Sequence, residues 1–395
     1  MSEKRDFISI QDLSNAEIES LFCIADKMRR LIRESHGQLA GHILGSLFLE
    51  PSTRTRLSFE AAMNRLGGRV LTITDANASS FSKGESLADS VRMVSSYTDI
   101  IVLRHPLAGA ARVAAEHSDS PVINAGDGGH EHPTQTLCDL YALKRLKGDL
   151  AKLKVVLYGD LKYGRTTHSL ALALVRFGAD VLAIAEKGLE LPSYVREDCA
   201  ALTQGVDRDV VIRGARTIFQ GGEGKGLLFS KRPESWGLEG EVLDLRRLEL
   251  DAIYVTRLQR ERAAGGEASN YSLPNVDTAF LSAGAFEKAV VLHPLPRLDE
   301  IHPDVDRDPR GAYFQQAAWG VPIRMALLSF LLGKEVFEVA PRPRRTLLPL
   351  PTGVSCANVG CILNDASGPK TGSAWCGSEG RLRCAYCDQP LPGQP

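Results

Sequence analysis

The chain lacks any apolar run near the roughly 18 residues that suggest a membrane span, so no membrane partner is expected. It also lacks a surplus of charge. Its 47 basic and 48 acidic residues leave a formal net charge of −1. That excludes attraction to polyanions through net charge, though not through a local patch. The stretch Met1 to Asp6 is charged and leads into no long apolar core, so no signal peptide is expected. There are no internal repeats. No G-x-G-x-x-G follows a strand pattern, which argues against a dinucleotide oxidoreductase.

What is present is an ordinary globular composition of 395 residues, 44% hydrophobic and 24% charged. Length alone suggests two to three domains at ~150 residues each. Helical spacing covers 15–33, 56–66, 133–146 and 166–177. Short apolar strand patterns cover 44–49, 99–103, 154–158, 181–185, 252–256 and 290–292. This alternation predicts an α/β fold with doubly wound parallel sheets. The segment 317–332 is apolar all round, so a buried helix is expected there. A glycine-rich, charged stretch near 213–248 fits the alternation poorly and reads as an insertion. The proline-rich segment 341–351, with Arg342, Arg344 and Arg345, reads as a solvated linker.

The most informative stretch is Ser52-Thr-Arg-Thr-Arg56, where a strand ends and a helix begins. Helix-start N–H groups are unpaired and partially positive, so they bind phosphate. Ser52, Thr53 and Thr55 add donors, and Arg54 adds a fork suited to an oxyanion. The plain alternative is an N-cap beside surface arginines. Arg104 ends a strand pattern, where parallel sheets place ligands. His132 and Gln135 begin a helix and face the same crevice. His293-Pro-Leu-Pro-Arg297 follows another strand; its prolines hold the backbone sharply, and a carbonyl held there can accept hydrogen bonds. Two nucleotide-loop patterns fail. In Gly159-Asp-Leu-Lys-Tyr-Gly-Arg-Thr166, Arg165 replaces the phosphate-binding lysine. In Gly221–Gly226, no Ser or Thr follows Lys225.

Taken in order, Ser52–Arg56, Arg104-His-Pro106, His132-Pro-Thr-Gln135, Gly159–Arg165 and His293–Arg297 resemble the aspartate carbamoyltransferase family over about residues 7–333. The resemblance implies a first lobe (1–148) for carbamoyl phosphate and a second (149–310) for aspartate. It also implies a C-terminal helical segment (311–340) packing back on the first lobe. Ser52, Thr53, Arg54 and Thr55 would hold the phosphate. Arg104, His132 and Thr55 would bond the carbonyl oxygen. Gln135, the Leu295 carbonyl and Pro296 would orient the carbamoyl NH₂. Arg165, Arg257 and Gln259 would bind the aspartate carboxylates, with Lys83 reaching both substrates. The loop around Ser79–Lys83 would come from a neighbouring subunit of a homotrimer. Arg54, Thr55, Arg104 and His132 are the expected catalytic set. No catalytic metal or organic cofactor is implied, and the expected location is cytoplasmic. The ornithine-specific relatives carry cysteine where this chain has Pro294 and lack a lysine like Lys83. The interval from Arg165 to Arg257 is longer than the family pattern, and the excess falls near 213–248.

Cysteines are unevenly placed. Cys23, Cys138 and Cys199 are scattered, while five lie from Cys356 onward. Cys356-x₄-Cys361-x₂₂-Cys384-x₂-Cys387 has the paired spacing of a Cys₄ zinc site, with Cys376 a bystander. Free thiols or two disulfides are the alternatives. The tail 352–395 has few large apolar residues, so metal would supply folding free energy. The spacing resembles the zinc domain of the family's regulatory chain, without that chain's nucleotide-binding domain. It implies a fused docking module that bridges catalytic chains into a larger assembly. A zinc ribbon for nucleic acid is the competing reading. Lys370, Arg381 and Arg383 balanced by Asp365, Glu379 and Asp388 argue against it.

Overall fold

The computed structural model describes residues 4–30, 32, 37–74, 84–204, 207–214, 223–259, 275–282, 284–336, 345–351 and 353–392. The chain forms two compact units, Met1–Cys138 with Trp319–Pro395, and Asp139–Ala318.

In the first unit, α1 (Asn15–Arg30) buries Ile18, Leu21, Phe22, Ala25 and Met28, the apolar stripe its spacing predicts. It is followed by β1 (Ile43–Phe48), α2 (Thr53–Arg65), β2 (Arg69–Ile73), α3 (Leu87–Ser95), β3 (Ile100–His105), α4 (Ala110–His117), β4 (Val122–Asp127) and the start of α5 (Pro133–Lys147), whose residues from Asp139 belong to the second unit. The four strands are parallel in the order β2-β1-β3-β4. Register sets Phe48 beside Arg104. The loops after β1, β3 and β4 therefore leave the same edge of the sheet, the edge where ligands bind in such folds.

The second unit holds β5 (Lys154–Gly159), α6 (Arg165–Phe177), β6 (Asp180–Ile184), α7 (Ser193–Leu202), β7 (Asp207–Arg213), β8 (Glu223–Phe229), β9 (Val242–Asp244), β10 (Ala252–Thr256), α8 (Thr278–Leu281) and β11 (Val290–Leu292). Its sheet runs β11-β10-β5-β6-β8-β7-β9. The first four strands are parallel. The described part of the stretch read as an insertion departs from the doubly wound pattern. β8 pairs antiparallel with β6 and with β7, so the sheet is mixed. This extension covers what would otherwise be the exposed edge of β6. It is anchored by the buried Trp236, whose Nε1 donates to Asp180 Oδ2 at 3.2 Å.

Helix α9 (Tyr313–Leu331) carries the chain back to the first unit. It contains Pro322, and its Arg324 guanidinium lies 5.1 Å from the Phe59 ring centroid. Among the described residues, no helix is long and apolar enough to cross a membrane.

The C-terminal tail folds as an antiparallel sheet of β12 (Leu348–Pro349), β13 (Ser373–Cys376) and β14 (Leu382–Cys384). The linker read over 341–351 is thus shorter than expected. Leu348–Pro349 belongs to the tail, with proline tolerated on an edge strand. Arg345 is not solvated: its Nη1 donates to Asp388 Oδ1 at 2.6 Å. Arg342 and Arg344 lie outside the described residues.

The tail packs on the first lobe of its own chain. Ala108 N donates to Gly360 O, and Ile362 N donates to Ala108 O, each at 2.9 Å. Ile362, Tyr386 and Leu391 share one apolar core with Val91, Ala110 and Val113. The tail therefore borrows a core as well as offering a thiol cluster. Contact is closest at Gly109, at φ 85°, where a Cβ would stand 2.4 Å from Tyr386 Cβ. Gly41, at φ 87°, has open space instead. Left-handed backbone costs a non-glycine residue about 1–2 kcal/mol. We expect Gly41→Ala to lower stability by that amount, and Gly109→Ala by clearly more. Thermal unfolding of the two variants measures the difference; equal losses would mean that the tail yields at this contact.

Candidate active site and thiolate cluster

In the first unit, Ser52 is the N-cap of α2 in extended geometry, yet its hydroxyl makes no cap hydrogen bond. The first turn of α2 holds no acidic residue, and Arg54 stands in it. Cations at a helix start are disfavoured by the helix dipole. An anion at the helix-start N–H groups would relieve the arrangement. Thr55 is buried and Arg54 exposed.

Arg104, at the end of β3, is held by two partners. Its Nε lies 3.0 Å from Glu50 Oε2, and its Nη1 donates to the Ala125 carbonyl at 3.3 Å. Leu49 N donates to Arg104 O at 2.9 Å, which ties the Ser52 loop to the same strand end. His132 is buried, with Nδ1 3.3 Å from Thr134 Oγ1. Gln135 N donates to His132 O at 3.0 Å in the first turn of α5. Ser52 to Thr55, Arg104, His132 and Gln135 thus gather at one sheet edge. Lys83 and its loop lie outside the described residues.

In the second unit, register sets Thr256 beside Gly159, so the loops after β5 and β10 are neighbours. Asp160 joins them, accepting from Tyr163 N at 2.9 Å and from Gln259 N at 3.0 Å. Burial pushes the Asp160 carboxyl up, and these amides oppose the shift. Arg165 opens α6, while Arg257 and Gln259 follow β10. Gly159 is required here: at φ 123°, its Cβ would lie 2.3 Å from Thr256 O. Leu295 and Pro296 follow β11 across a cis peptide bond, with Leu295 at φ 53°. Leu295 N donates to His293 Nδ1 at 2.8 Å, and His293 Nε2 lies 2.7 Å from Glu300 Oε1. Burial pulls the His293 pKa down, against the pull of Glu300. Arg165, Arg257, Gln259 and the Leu295 loop share the edge where β5, β10 and β11 end.

Sequence reasoning assigned no role to Glu50, Asp160 or Glu300. Asp160 lay within the quoted Gly159–Arg165 motif, and Glu50 two residues before Ser52. Their proximity was a signal, but their partners are distant in sequence.

The tail brings Cys356, Cys361, Cys384 and Cys387 together, all buried, with their sulfurs within 4.8 Å of one another. Cys356 and Cys387 Sγ are 3.5 Å apart, and Cys361 and Cys384 Sγ 3.8 Å. A disulfide needs about 2.05 Å. A tetrahedron with Zn–S of about 2.3 Å has edges of about 3.8 Å. The donor set therefore fits a divalent cation better than paired disulfides. Cys376 is exposed and outside the cluster.

His130 was not singled out by sequence reasoning. It is buried between two carboxylates, with Nδ1 3.3 Å from Asp127 Oδ2 and Nε2 3.1 Å from Asp388 Oδ2. Burial would lower its pKa, but Asp127 and Asp388 raise it well above the ordinary value. It therefore links the first lobe to the tail through its two carboxylate contacts.

Residues 5–145 match the family model for the aspartate/ornithine carbamoyltransferase carbamoyl-P binding domain. Residues 247–331 match the model for the Asp/Orn binding domain of the same family. Arg165 lies between the matched segments, so its placement rests on its motif and on Asp160. The chain is 46% identical over 336 residues to the aspartate carbamoyltransferase catalytic subunit of Thermococcus onnurineus, covering 83% of this chain and 97% of that relative. It is 45% identical over 335 residues to the Methanopyrus kandleri catalytic subunit, covering 83% and 97%. Among solved structures, the M. jannaschii aspartate transcarbamoylase catalytic subunit has a TM-score of 0.66 at 39% identity, covering 84% of this chain and 98% of that one. Trypanosoma cruzi aspartate transcarbamoylase with N-(phosphonacetyl)-L-aspartic acid has a TM-score of 0.68 at 36% identity, covering 83% and 95%. Ordered motifs, paired sheet-edge sites and full-length relatives agree: this chain belongs to the aspartate carbamoyltransferase catalytic-subunit family.

Proposed function

We propose that the chain transfers the carbamoyl group of carbamoyl phosphate to the α-amine of L-aspartate, giving N-carbamoyl-L-aspartate and phosphate for pyrimidine synthesis. The observation that carries this reading is the acid-free first turn of α2, with Arg54 at its positive end beside the Arg104 strand end. Ser52, Thr53, Arg54 and Thr55 bind the phosphate. Arg104, His132 and Thr55 donate to the carbonyl oxygen, and Gln135 and the Leu295 carbonyl orient the NH₂. Arg165, Arg257 and Gln259 receive the aspartate carboxylates, with Lys83 assisting. Cationic groups of this kind suit a dicarboxylate and repel the cationic side chain of ornithine.

The amine lone pair forms the new C–N bond while the carbonyl oxygen gains negative charge. The oxyanion then collapses back to a carbonyl as the bond between the carbamoyl carbon and the bridging phosphate oxygen breaks. Phosphate leaves with that electron pair and takes the amine proton. Donors already aimed at the developing oxyanion are worth about 3–4 kcal/mol each. Catalysis is then positioning and electrostatics.

The four tail cysteines would hold structural Zn²⁺, supported by sulfur spacing and burial. Zinc would stabilise the tail fold. A homotrimer with shared sites fits the family and the exposed apolar side chains of Leu57 and Leu71, the latter on edge strand β2. The cluster of unbridged buried thiols fits a reducing cytoplasm. The tail would also bridge catalytic chains within or between trimers, through surface that its contacts to its own lobe leave unused.

Purified protein given carbamoyl phosphate should carbamoylate aspartate. Product from ornithine alone would overturn the reading. Arg54→Ala should lower kcat/KM by at least about 10²- to 10³-fold, with unchanged circular dichroism. Metal analysis should find one zinc per chain, displaced by a mercurial and lost in Cys361→Ser. Zinc-free protein with an ordered tail would count against the metal. Light scattering should give a multiple of three chains, and a monomer would refute the trimer.

A further inference from the structure

The tail meets the first lobe at residues that adjoin its own metal-ligand cysteines. Gly360 and Ile362 flank Cys361, and both bond to Ala108. Asp388 follows Cys387 and pairs with His130. On the lobe side, these contact points lie in the two loops that bear the oxyanion donors. Ala108 is four residues after Arg104, and His130 is two residues before His132.

Asp127 fastens the two loops to each other. Its Oδ2 accepts from Gly109 N at 2.7 Å and faces His130 Nδ1, while its Oδ1 accepts from Asn124 Nδ2 at 2.9 Å. Gly128 N also donates to His105 O at 2.9 Å. Asp388 is in turn fixed on the tail side. Trp375 Nε1 donates to it at 2.8 Å, and Arg345, which donates at 2.6 Å, lies 3.9 Å over the Trp375 ring. A buried chain of contacts thus runs from the cysteine knuckles through Asp388, His130 and Asp127 to both loops. Among the described residues, the start of α2 makes none of these contacts, and its tie to the Arg104 strand end is the Leu49 N–Arg104 O bond.

We propose that the metal-ordered tail is a positioning device for the reaction, with Asp388 and His130 holding the loops that aim Arg104 and His132. This rests on the functional reading above. Asp388 and His130 touch no substrate and act only through the groups they hold. Donors aimed at a transition-state oxygen affect kcat, whereas the α2 helix start governs phosphate affinity. The two parameters should therefore separate.

The test uses the full chain with its metal. Asp388→Ala should lower kcat about 10- to 100-fold, with the Kd for inorganic phosphate and the zinc content unchanged. Asp388→Asn, which keeps an acceptor for His130, should recover part of the loss. Hydrogen exchange should speed up at the amides of 105–109 and 127–132 in Asp388→Ala, and likewise after metal removal by a chelator. Unchanged kcat and exchange in Asp388→Ala would overturn the proposal. So would phosphate affinity falling in step with kcat, the mark of general loss of structure. If the unaltered chain fails to carbamoylate aspartate, the functional reading falls, and exchange at these loops alone then decides the coupling.

Discussion

Holding cations in place before any substrate arrives is the constraint on which both sheet edges depend. The α2 start sets Arg54 against its own helix dipole. Arg104 is buried enough to need partners, and it has Glu50 and the Ala125 carbonyl. Glu50 holds the guanidinium at 3.0 Å from its Nε. In the second unit, buried Asp160 binds backbone amides from two loops, so it fixes backbone geometry beside Arg165 and Arg257. The carboxylates nearest these sites therefore act as supports. Their cost in desolvation is offset by hydrogen bonds to N–H groups and a guanidinium.

Parallel strands make this economical. In a parallel sheet, every strand ends at the same edge, so separate loops deliver polar groups to one place. The Phe48–Arg104 and Gly159–Thr256 register pairs do this in the two units. The antiparallel β7–β8 extension adds strands on the far side of β6, away from β5, β10 and β11. The longer Arg165–Arg257 interval therefore enlarges the sheet without entering the strands that carry the site.

Much of this was legible in the sequence because it depends on short intervals. Ser52–Arg56, His132–Gln135 and the cysteine pairs each act within one turn or loop, and local spacing reports them. Strand patterns likewise located β1, β3, β5, β6, β10 and β11. The supporting carboxylates were not legible, because their partners are set by tertiary pairing: Glu50 meets Arg104, and Asp160 meets Gln259 N. The linker was misjudged for a related reason. A proline-rich run reads as solvated until another strand pairs with it, as β13 does with Leu348–Pro349.

The tail is the sharpest case. Its cysteine spacing pointed to a metal site and its composition to a core too small to stand alone, and the fold supplies a core shared with its own lobe. In the fold, residues beside the cysteines carry contacts to the lobe: Gly360 and Ile362 bond to Ala108, and Asp388 pairs with His130. His130 shows why spacing could not reveal this. In sequence it is one histidine in an acidic stretch, with a burial cost that argues against charge. Asp127 and Asp388 favour its charged form, and Asp388 lies 258 residues away. A buried ion pair is weak evidence for stability, because desolvation opposes it. Its geometry is specific, however. Two carboxylates that must both face one imidazolium leave little freedom in how the tail meets the lobe, and that restriction reaches the loops of Arg104 and His132.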